Sequence, residues 1–226
     1  MRTHTTPMGF LLAALAVAAC EDPTLLKPTT EPSVALELQA TQESSMQLQP
    51  VPFHMRTTST AVWLEVYVVD DALNPGSPDA DEDPDLVTVS PIELLGLVQA
   101  GLVVPSTFDG RCGTMSLAVM HYTGEGNATH LGQVTGRGSH CYYDPGHYGE
   151  GELVISAANG DELHCRNGNG WGEQIGQSLR SAFGDDVTFD GGTGRFQNAT
   201  GQAVESGIFD FEAGRFELEA EGWIIY

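Results

Sequence analysis

The feature that most constrains the fold is a strict alternation of apolar and acidic residues near the end of the chain. Between Arg215 and Tyr226, the residues Phe216, Leu218 and Ala220 alternate with the glutamates Glu217, Glu219 and Glu221. A two-residue period places alternate side chains on opposite faces of an extended strand. This run therefore predicts a β-strand with one buried face and one solvated face.

Similar runs, separated by glycine-rich turns, continue through most of the chain after Arg111. We predict strands over 61–69, 115–122, 129–143, 152–158, 161–166, 187–190, 203–211 and 215–226. The pair Asn159-Gly160 is typical of a two-residue type I′ hairpin turn. About eight antiparallel strands can close a small barrel and remove exposed edges. We therefore predict an all-β domain over residues 51–226, an eight-stranded antiparallel barrel.

A short helical insertion is predicted between the first strand and the rest of the barrel. Ser90 and Glu93 form a capping-box pattern, Pro91 occupies the first helical position, and Gly101 lies where a C-terminal cap belongs. These signals predict a helix over 91–100. A second short helix over 173–183 is also expected, because Ile175, Leu179 and Phe183 recur at helical spacing.

The first twenty residues indicate export from the cytoplasm. An apolar run of about a dozen residues is too short for the roughly 20 that a spanning helix needs, and matches a signal-peptide core. It ends in Val17-Ala18-Ala19-Cys20, which resembles the lipobox of bacterial lipoproteins. We predict a signal peptide over 1–19, lipidation at Cys20, a disordered stalk over 20–50 and an envelope location outside the cytoplasm. The alternative is an ordinary secretory signal in which Cys20 has no role.

The charge balance restricts the possible partners. The chain carries 31 acidic and 9 basic residues, a formal net charge of −22. Nucleic acids and anionic lipid surfaces require positive charge, so we exclude nucleic acid as a partner. Residues 74–85 are predicted to form a polar loop rich in Pro and Asp. This acidic loop could offer oxygen ligands to Ca²⁺ through Asp79, Asp81, Asp83 and Asp85, but it lacks the full EF-hand pattern. We expect a solvated loop there, and we expect no cofactor.

Three segments resemble the allene oxide cyclase barrel-like (dirigent-related) proteins that are common among secreted bacterial proteins. The segments are Thr123-GEGNATHLG-132, Ser156-AANGDEL-163 and Phe189-DGGTGRFQNATG-201. They keep the order of that family's motifs, and the resemblance covers roughly 108–226. It implies an eight-stranded antiparallel barrel with an apolar interior. The catalytic residues of the plant cyclases match no positions here, so their activity is not carried over.

The cysteines after Cys20 are three in number, which leaves one unpaired if two of them form a disulfide. We expect Cys112 and Cys141 to pair, on hairpin strands that turn at Gly124–Gly126, and Cys165 to stay free. Zinc at His140-Cys141 and His164-Cys165 is disfavoured, because adjacent residues of a strand point to opposite faces.

The polar residue to test first for ligand binding is His130, although we favour a structural role in which its ring satisfies a neighbouring turn. Whether His121, Tyr122 or Glu152 faces the interior is left open. Two functions follow from these patterns. The first is a non-catalytic, membrane-anchored lipoprotein whose barrel binds a small apolar molecule or has a structural role. The alternative is an isomerase or cyclase acting on a lipid-like substrate, which would need several protic side chains converging in an apolar cavity.

Overall fold

The computed structural model describes residues 48–69, 84–144 and 146–226. The predicted signal peptide, the lipidation site Cys20 and nearly all of the predicted stalk lie outside these ranges. So do the candidate calcium ligands Asp79, Asp81 and Asp83, whereas Asp85 is the exposed first residue of a strand.

Strands and one helix make up most of the described chain. The strands are β1 (Val51–Val68), β2 (Asp85–Val89), β3 (Val103–Val104), β4 (Ala118–Ala128), β5 (Gly132–Asp144), β6 (His147–Ala157), β7 (Glu162–Asn167), β8 (Gly170–Gln174), β9 (Arg180–Gly192), β10 (Thr200–Asp210) and β11 (Arg215–Ile225). The helix is α1 (Pro91–Ala100), and a 3₁₀ turn covers Gly194–Phe196.

The strands close into an eight-stranded antiparallel barrel. Neighbours follow the order β1, β4, β5, β6, β7, β9, β10 and β11, and β11 pairs back onto β1. Strand β8 continues the position of β7, because it also pairs with both β6 and β9. The predicted fold class, an all-β eight-stranded barrel with a short helical insertion, is confirmed.

Strand β1 starts ten residues before the predicted position. Its first half exposes polar residues, and only Phe53 and Met55 turn a buried apolar side chain inward. A register shift between Ser59 and Ala61 then changes the inward positions from odd to even numbers, so that Leu64 and Val66 are buried. This change of phase hid the first half of the strand from a search for one continuous period.

Helix α1 has the predicted bounds and caps. Ser90 Oγ accepts a hydrogen bond from the Glu93 backbone N–H, the Glu93 carboxylate accepts from the Ser90 backbone N–H at 2.7 Å, and Gly101 ends the helix at φ 70°. Leu94 is fully buried in a cluster with Leu64 and other inward residues of β1. The helix therefore covers part of one rim of the barrel, which we call the α1 rim.

One predicted helix is absent, and one predicted hairpin turn is of a different type. Residues 173–183 form no helix, because β8 and β9 are joined there by a tight turn in which Ile175 N–H donates to Arg180 O at 2.9 Å. The Asn159-Gly160 hairpin exists, but only Gly160 has positive φ (89°), so it is not a type I′ turn. Gly160 N–H donates to Ala157 O, which makes a three-residue hairpin loop with glycine in the left-handed position.

Cys112 and Cys141, the pair predicted from the sequence, are joined by a disulfide with a Cα–Cα distance of 5.9 Å. The predicted route to that pair is wrong, since Gly124 and Gly126 lie within β4 and Cys112 precedes that strand. The disulfide therefore ties the segment before β4 to the outer face of β5. Cys165 is buried and forms no disulfide with another described cysteine.

The rim opposite α1, where β1 begins and β11 ends, is packed shut. Phe53 and Phe189 meet edge to face at 4.8 Å between ring centroids, and Phe196, Ala199 and Ile224 are buried beside them. Any internal space must therefore lie towards the α1 rim.

Candidate functional site

A cavity of about 90 Å³ lies inside the barrel, between the packed rim and the α1 rim. Its walls are mostly apolar and aromatic, including Met55, Met120, Leu153, Ile155, Phe183, Phe209, Phe216 and Leu218. His147 and Gly172 also line it, and His147 is exposed where β6 begins. The cavity therefore opens to solvent beside the turn between β5 and β6.

Glycines on neighbouring strands create this space. Gly124 and Gly136 line the cavity without side chains, and a Cβ atom built at Gly136 would meet nothing nearer than the Leu153 Cδ1 atom at 3.6 Å. At Gly138 a Cβ would lie 2.5 Å from the Tyr122 ring, so Gly138 lets that ring lie flat against the wall. The glycine motifs of β4 and β5 thus leave room inside the barrel as well as shaping turns.

Three buried polar side chains, Asn167 on β7, Asp185 on β9 and Glu205 on β10, form one cluster in the barrel wall. They are 8%, 4% and 5% exposed. Asn167 Nδ2 donates to Asp185 Oδ2 at 3.0 Å and lies 3.4 Å from Glu205 Oε2, the second acceptor. Glu205 and Asn167 line the cavity, whereas Asp185 lies opposite Glu205 in the strand register without lining it.

Burial sets the protonation of this cluster. Loss of hydration and the neighbouring Asp185 raise the pKa of Glu205 to about 8, and the hydrogen bond from Asn167 only partly opposes them. Burial also raises the pKa of Asp185, against hydrogen bonds from Asn167 and from backbone groups. At neutral pH Glu205 is therefore mainly a protonated acid, placed to donate a proton.

Further protic groups line the cavity, among them His140, Tyr122 and Tyr148. Burial lowers the pKa of His140 to about 4, so its ring is neutral at physiological pH. Burial also raises the pKa of Tyr122 and of Tyr148 well above the usual range, so both phenols stay protonated. A Cβ at Gly151 would lie 2.9 Å from Asn167 Cβ and 3.2 Å from His140 Cβ, so the glycine allows those two side chains to approach.

The candidates named from the sequence fall mostly outside the cavity. Tyr122 lines it, but His121 lies on the outer face, where its ring stacks on Trp63 and approaches Glu65 at 3.5 Å. His130 lies in the turn after β4, with its Nε2 atom 2.9 Å from Pro52 O, and does not line the cavity. Glu152 is exposed on β6.

Sequence reasoning missed Asn167, Asp185 and Glu205, although a signal was present. Each shares its odd-numbered strand phase with buried apolar residues: Asn167 with Cys165, Asp185 with Val187 and Phe189, and Glu205 with Ala203 and Phe209. A charged or amide side chain in the apolar phase of a strand must be buried, and burial without a role is costly. Applied to the predicted strands, that phase test would have found Glu205, within 203–211, whereas Asn167 and Asp185 lie just outside the predicted strands 161–166 and 187–190.

The described residues bring together one group with possible metal-binding atoms, Cys112, Cys141 and Glu150. Its two sulfur atoms are bonded to each other, which removes them as thiolate ligands. The paired sequence motifs His140-Cys141 and His164-Cys165 are separated, since Cys141 lies opposite Gly149 and Cys165 opposite Leu153 on the intervening strand.

The fold and the site together define a closed antiparallel barrel with a hollow, aromatic-lined interior and a buried carboxyl cluster. Comparison with models of known protein families, with curated proteins and with solved structures gives no match. Within the part of the chain that the structure describes, no helix has the length and apolarity to cross a membrane.

Proposed function

We propose that this protein is an exported envelope lipoprotein, anchored through lipid at Cys20, whose barrel binds a compact and mostly apolar molecule. The observation that carries the binding proposal is the hollow interior itself, since the cavity has aromatic walls and the polar side chains of Glu205 and Asn167 line it. Ligand sites are typically apolar concavities with a few placed polar groups. The lipobox resemblance supports the anchor, and the three glycine motifs support placing the barrel near the allene oxide cyclase barrel-like proteins.

The cavity volume limits the ligand. An engineered protein cavity of about 150 Å³ accepts benzene, which has six heavy atoms, so in proportion to its volume this cavity has room for roughly four heavy atoms. A larger ligand must extend towards the mouth of the cavity at His147. A compact molecule, or the end of a longer one, therefore fits better than a fully enclosed fatty chain.

Native mass spectrometry of the protein purified from the cells that make it tests this proposal. We expect a retained small molecule on the wild type and its loss in Gly136→Val, because Gly136 lines the cavity and a Cβ there has no backbone atom nearer than Val154 O at 3.9 Å. Gly96→Ala, in α1, is the matched control, since a Cβ there meets nothing within 4 Å. The proposal fails if no bound molecule is found and xenon, an apolar cavity probe, also leaves the cavity-lining NMR signals unchanged.

A second candidate, an isomerase or cyclase acting inside the barrel, is favoured by one observation: Glu205 is a buried acid whose pKa of about 8 lies near physiological pH. Proton transfer needs such a group beside the substrate. If the retained molecule is converted by the wild type and stays unchanged with Glu205→Gln, the enzyme is supported. If the molecule is recovered unchanged from both the wild type and Glu205→Gln, ligand binding without catalysis is the function that remains.

A further inference from the structure

We propose that the ligand carries a protonated amine, which the carboxylate of Glu205 and the amide oxygen of Asn167 hold inside the barrel, with Asp185 adding negative charge beside them. This inference rests on the proposed ligand-binding function and names the chemical class of the ligand.

Three buried oxygen atoms of the cluster lack a hydrogen-bond partner: Glu205 Oε1, Asp185 Oδ1 and Asn167 Oδ1. The amide orientation follows from Asp185, because a flipped Asn167 would turn its oxygen towards that carboxyl group. A buried oxygen without a partner is costly. When Glu205 is ionised, all three oxygens can accept, and an ammonium group brings three donors and no acceptor, so it matches this set.

The cluster holds two carboxyl groups, and no lysine or arginine among the described residues lines the cavity. His140 does line it, but burial lowers its pKa to about 4, so it supplies no positive charge at neutral pH. A buried carboxyl group either stays protonated or is paired with a cation. A cation that pairs with ionised Glu205 must therefore come from the ligand.

The aromatic wall also favours a cation. Phe183, Phe209 and Phe216 line the cavity together with Tyr122 and Tyr148. The faces of such rings attract cations, more strongly when the cation is desolvated. A neutral apolar ligand would gain from the rings alone, whereas an amine gains from both the rings and the carboxylate.

Binding of an amine moves a proton. Before the amine binds, Glu205 is mainly protonated at neutral pH, so formation of the carboxylate–ammonium pair releases that proton to solvent. The titratable groups facing Glu205 are Asp185, Cys165, Tyr122 and Tyr148, and burial keeps the last three protonated. On β11 its register partner is Ala220, which does not titrate. The affinity should therefore rise about tenfold per pH unit below pH 8 and level off above it.

The test uses isothermal titration of the full-length protein with n-butylammonium and with butan-1-ol, which has the same number of heavy atoms. At pH 8 we expect butylammonium to bind at least tenfold more tightly than butan-1-ol. Glu205→Gln should lower the butylammonium affinity at least tenfold and leave that of butan-1-ol unchanged. Glu217→Gln, which removes an exposed carboxylate from β11, is the matched control and should change neither affinity.

Three outcomes overturn the inference: equal or tighter binding of butan-1-ol, unchanged butylammonium affinity in Glu205→Gln, or a flat pH profile between pH 6 and pH 8. If Glu205→Gln does not fold, titration of the wild type at pH 7 in two buffers of different ionisation enthalpy decides, with close to one proton expected to be released per amine. If xenon binds but butylammonium binds no more tightly than butan-1-ol, the amine inference is wrong and the proposed ligand-binding function stands. If neither xenon nor either probe binds, the amine inference and the proposed function are both wrong.

Discussion

Glu205 shows how one residue can carry a cost that the rest of the barrel must offset. It occupies the inward phase of β10 between Ala203 and Gly207, where an apolar side chain would pack without loss of hydration. Asn167 partly compensates by approaching both carboxyl groups. The remaining free-energy cost of burying this carboxyl group in its charged form raises its pKa. The cost to stability therefore depends on pH.

We predict that Glu205→Gln changes the pH dependence of stability. The folded-state pKa of about 8 exceeds the ordinary value of 4.5, so between these values the folded protein binds more protons than the unfolded chain. The contribution of Glu205 to the free energy of unfolding is thus complete below pH 4.5, falls as pH rises and levels off above pH 8. Relative to wild type, Glu205→Gln should gain a few kcal/mol between pH 5 and pH 9, measured by urea unfolding.

The exposed Glu217→Gln serves as the control for this experiment, and its difference from wild type should not vary with pH. A constant difference between wild type and Glu205→Gln across the same range would contradict the burial argument. Tyr122, Tyr148 and Cys165 stay protonated throughout in both proteins, so they do not add to the difference.

The residues of the site were less accessible to sequence reasoning than the strands that carry them. His130 was a candidate because it lies in a glycine-bounded motif. Its position is a turn in which its φ is 67° and its Nε2 atom lies within hydrogen-bond distance of the Pro52 carbonyl oxygen. Asp185 and Glu205 stand within runs that also contain solvent-facing acids such as Asp186, and only the strand phase separates the two groups. A local motif does not report that phase, which depends on where each strand begins and where it bulges.

Among the secondary-structure elements, the helix whose ends are set by neighbouring residues was predicted correctly from the sequence. The bounds of α1 follow from Ser90, Pro91 and Gly101, and they are correct to the residue. The helix predicted over 173–183 failed because its apolar residues Ile175 and Leu179 are exposed at a hairpin turn instead of packing on one face. The same spacing can arise from two strands and their turn, and only long-range pairing with β6 and β10 distinguishes the cases.

The capping box of α1 supplies an element-scale prediction. Ser90→Ala removes the side chain that accepts from Glu93, and should lower the free energy of unfolding by about 0.5–2 kcal/mol. Leu94 couples the helix to the barrel core, so loss of the cap should appear in the global urea transition. The matched substitution in the same helix, Gly96→Ala, should act in the opposite direction by about 0.5–1 kcal/mol. A decrease in stability for Gly96→Ala would contradict this account.

For the whole molecule, barrel closure was predictable because most strand patterns have one apolar phase and short turns join most neighbours. The cavity was not predictable, since its volume depends on which inward positions hold glycine and on how Tyr122 lies against Gly138. Those are properties of packing across strands β4, β5 and β6, which no single segment encodes.

Attachment to the membrane is a prediction about the molecule as a whole. Several acyl chains at one cysteine hold a protein firmly, at about 0.8 kcal/mol per buried methylene. We expect Cys20→Ala to move the protein from the membrane fraction to the soluble fraction on ultracentrifugation. Thr24→Ala, four residues further along, is the control and should stay with the membranes. Sedimentation of Cys20→Ala with the membranes would rule out lipid at that thiol as the anchor.

The pairing of Val51 with Ile224 places the two ends of the barrel's chain side by side on the packed rim, away from the mouth at His147. A reporter fused behind Tyr226 would leave the mouth of the cavity unobstructed. A short linker from Tyr226 to Leu48 would also let the chain be circularly permuted, with new termini opened in the turn after Ile175. We expect barrel and cavity to persist in that rearrangement, because every strand would keep its neighbours.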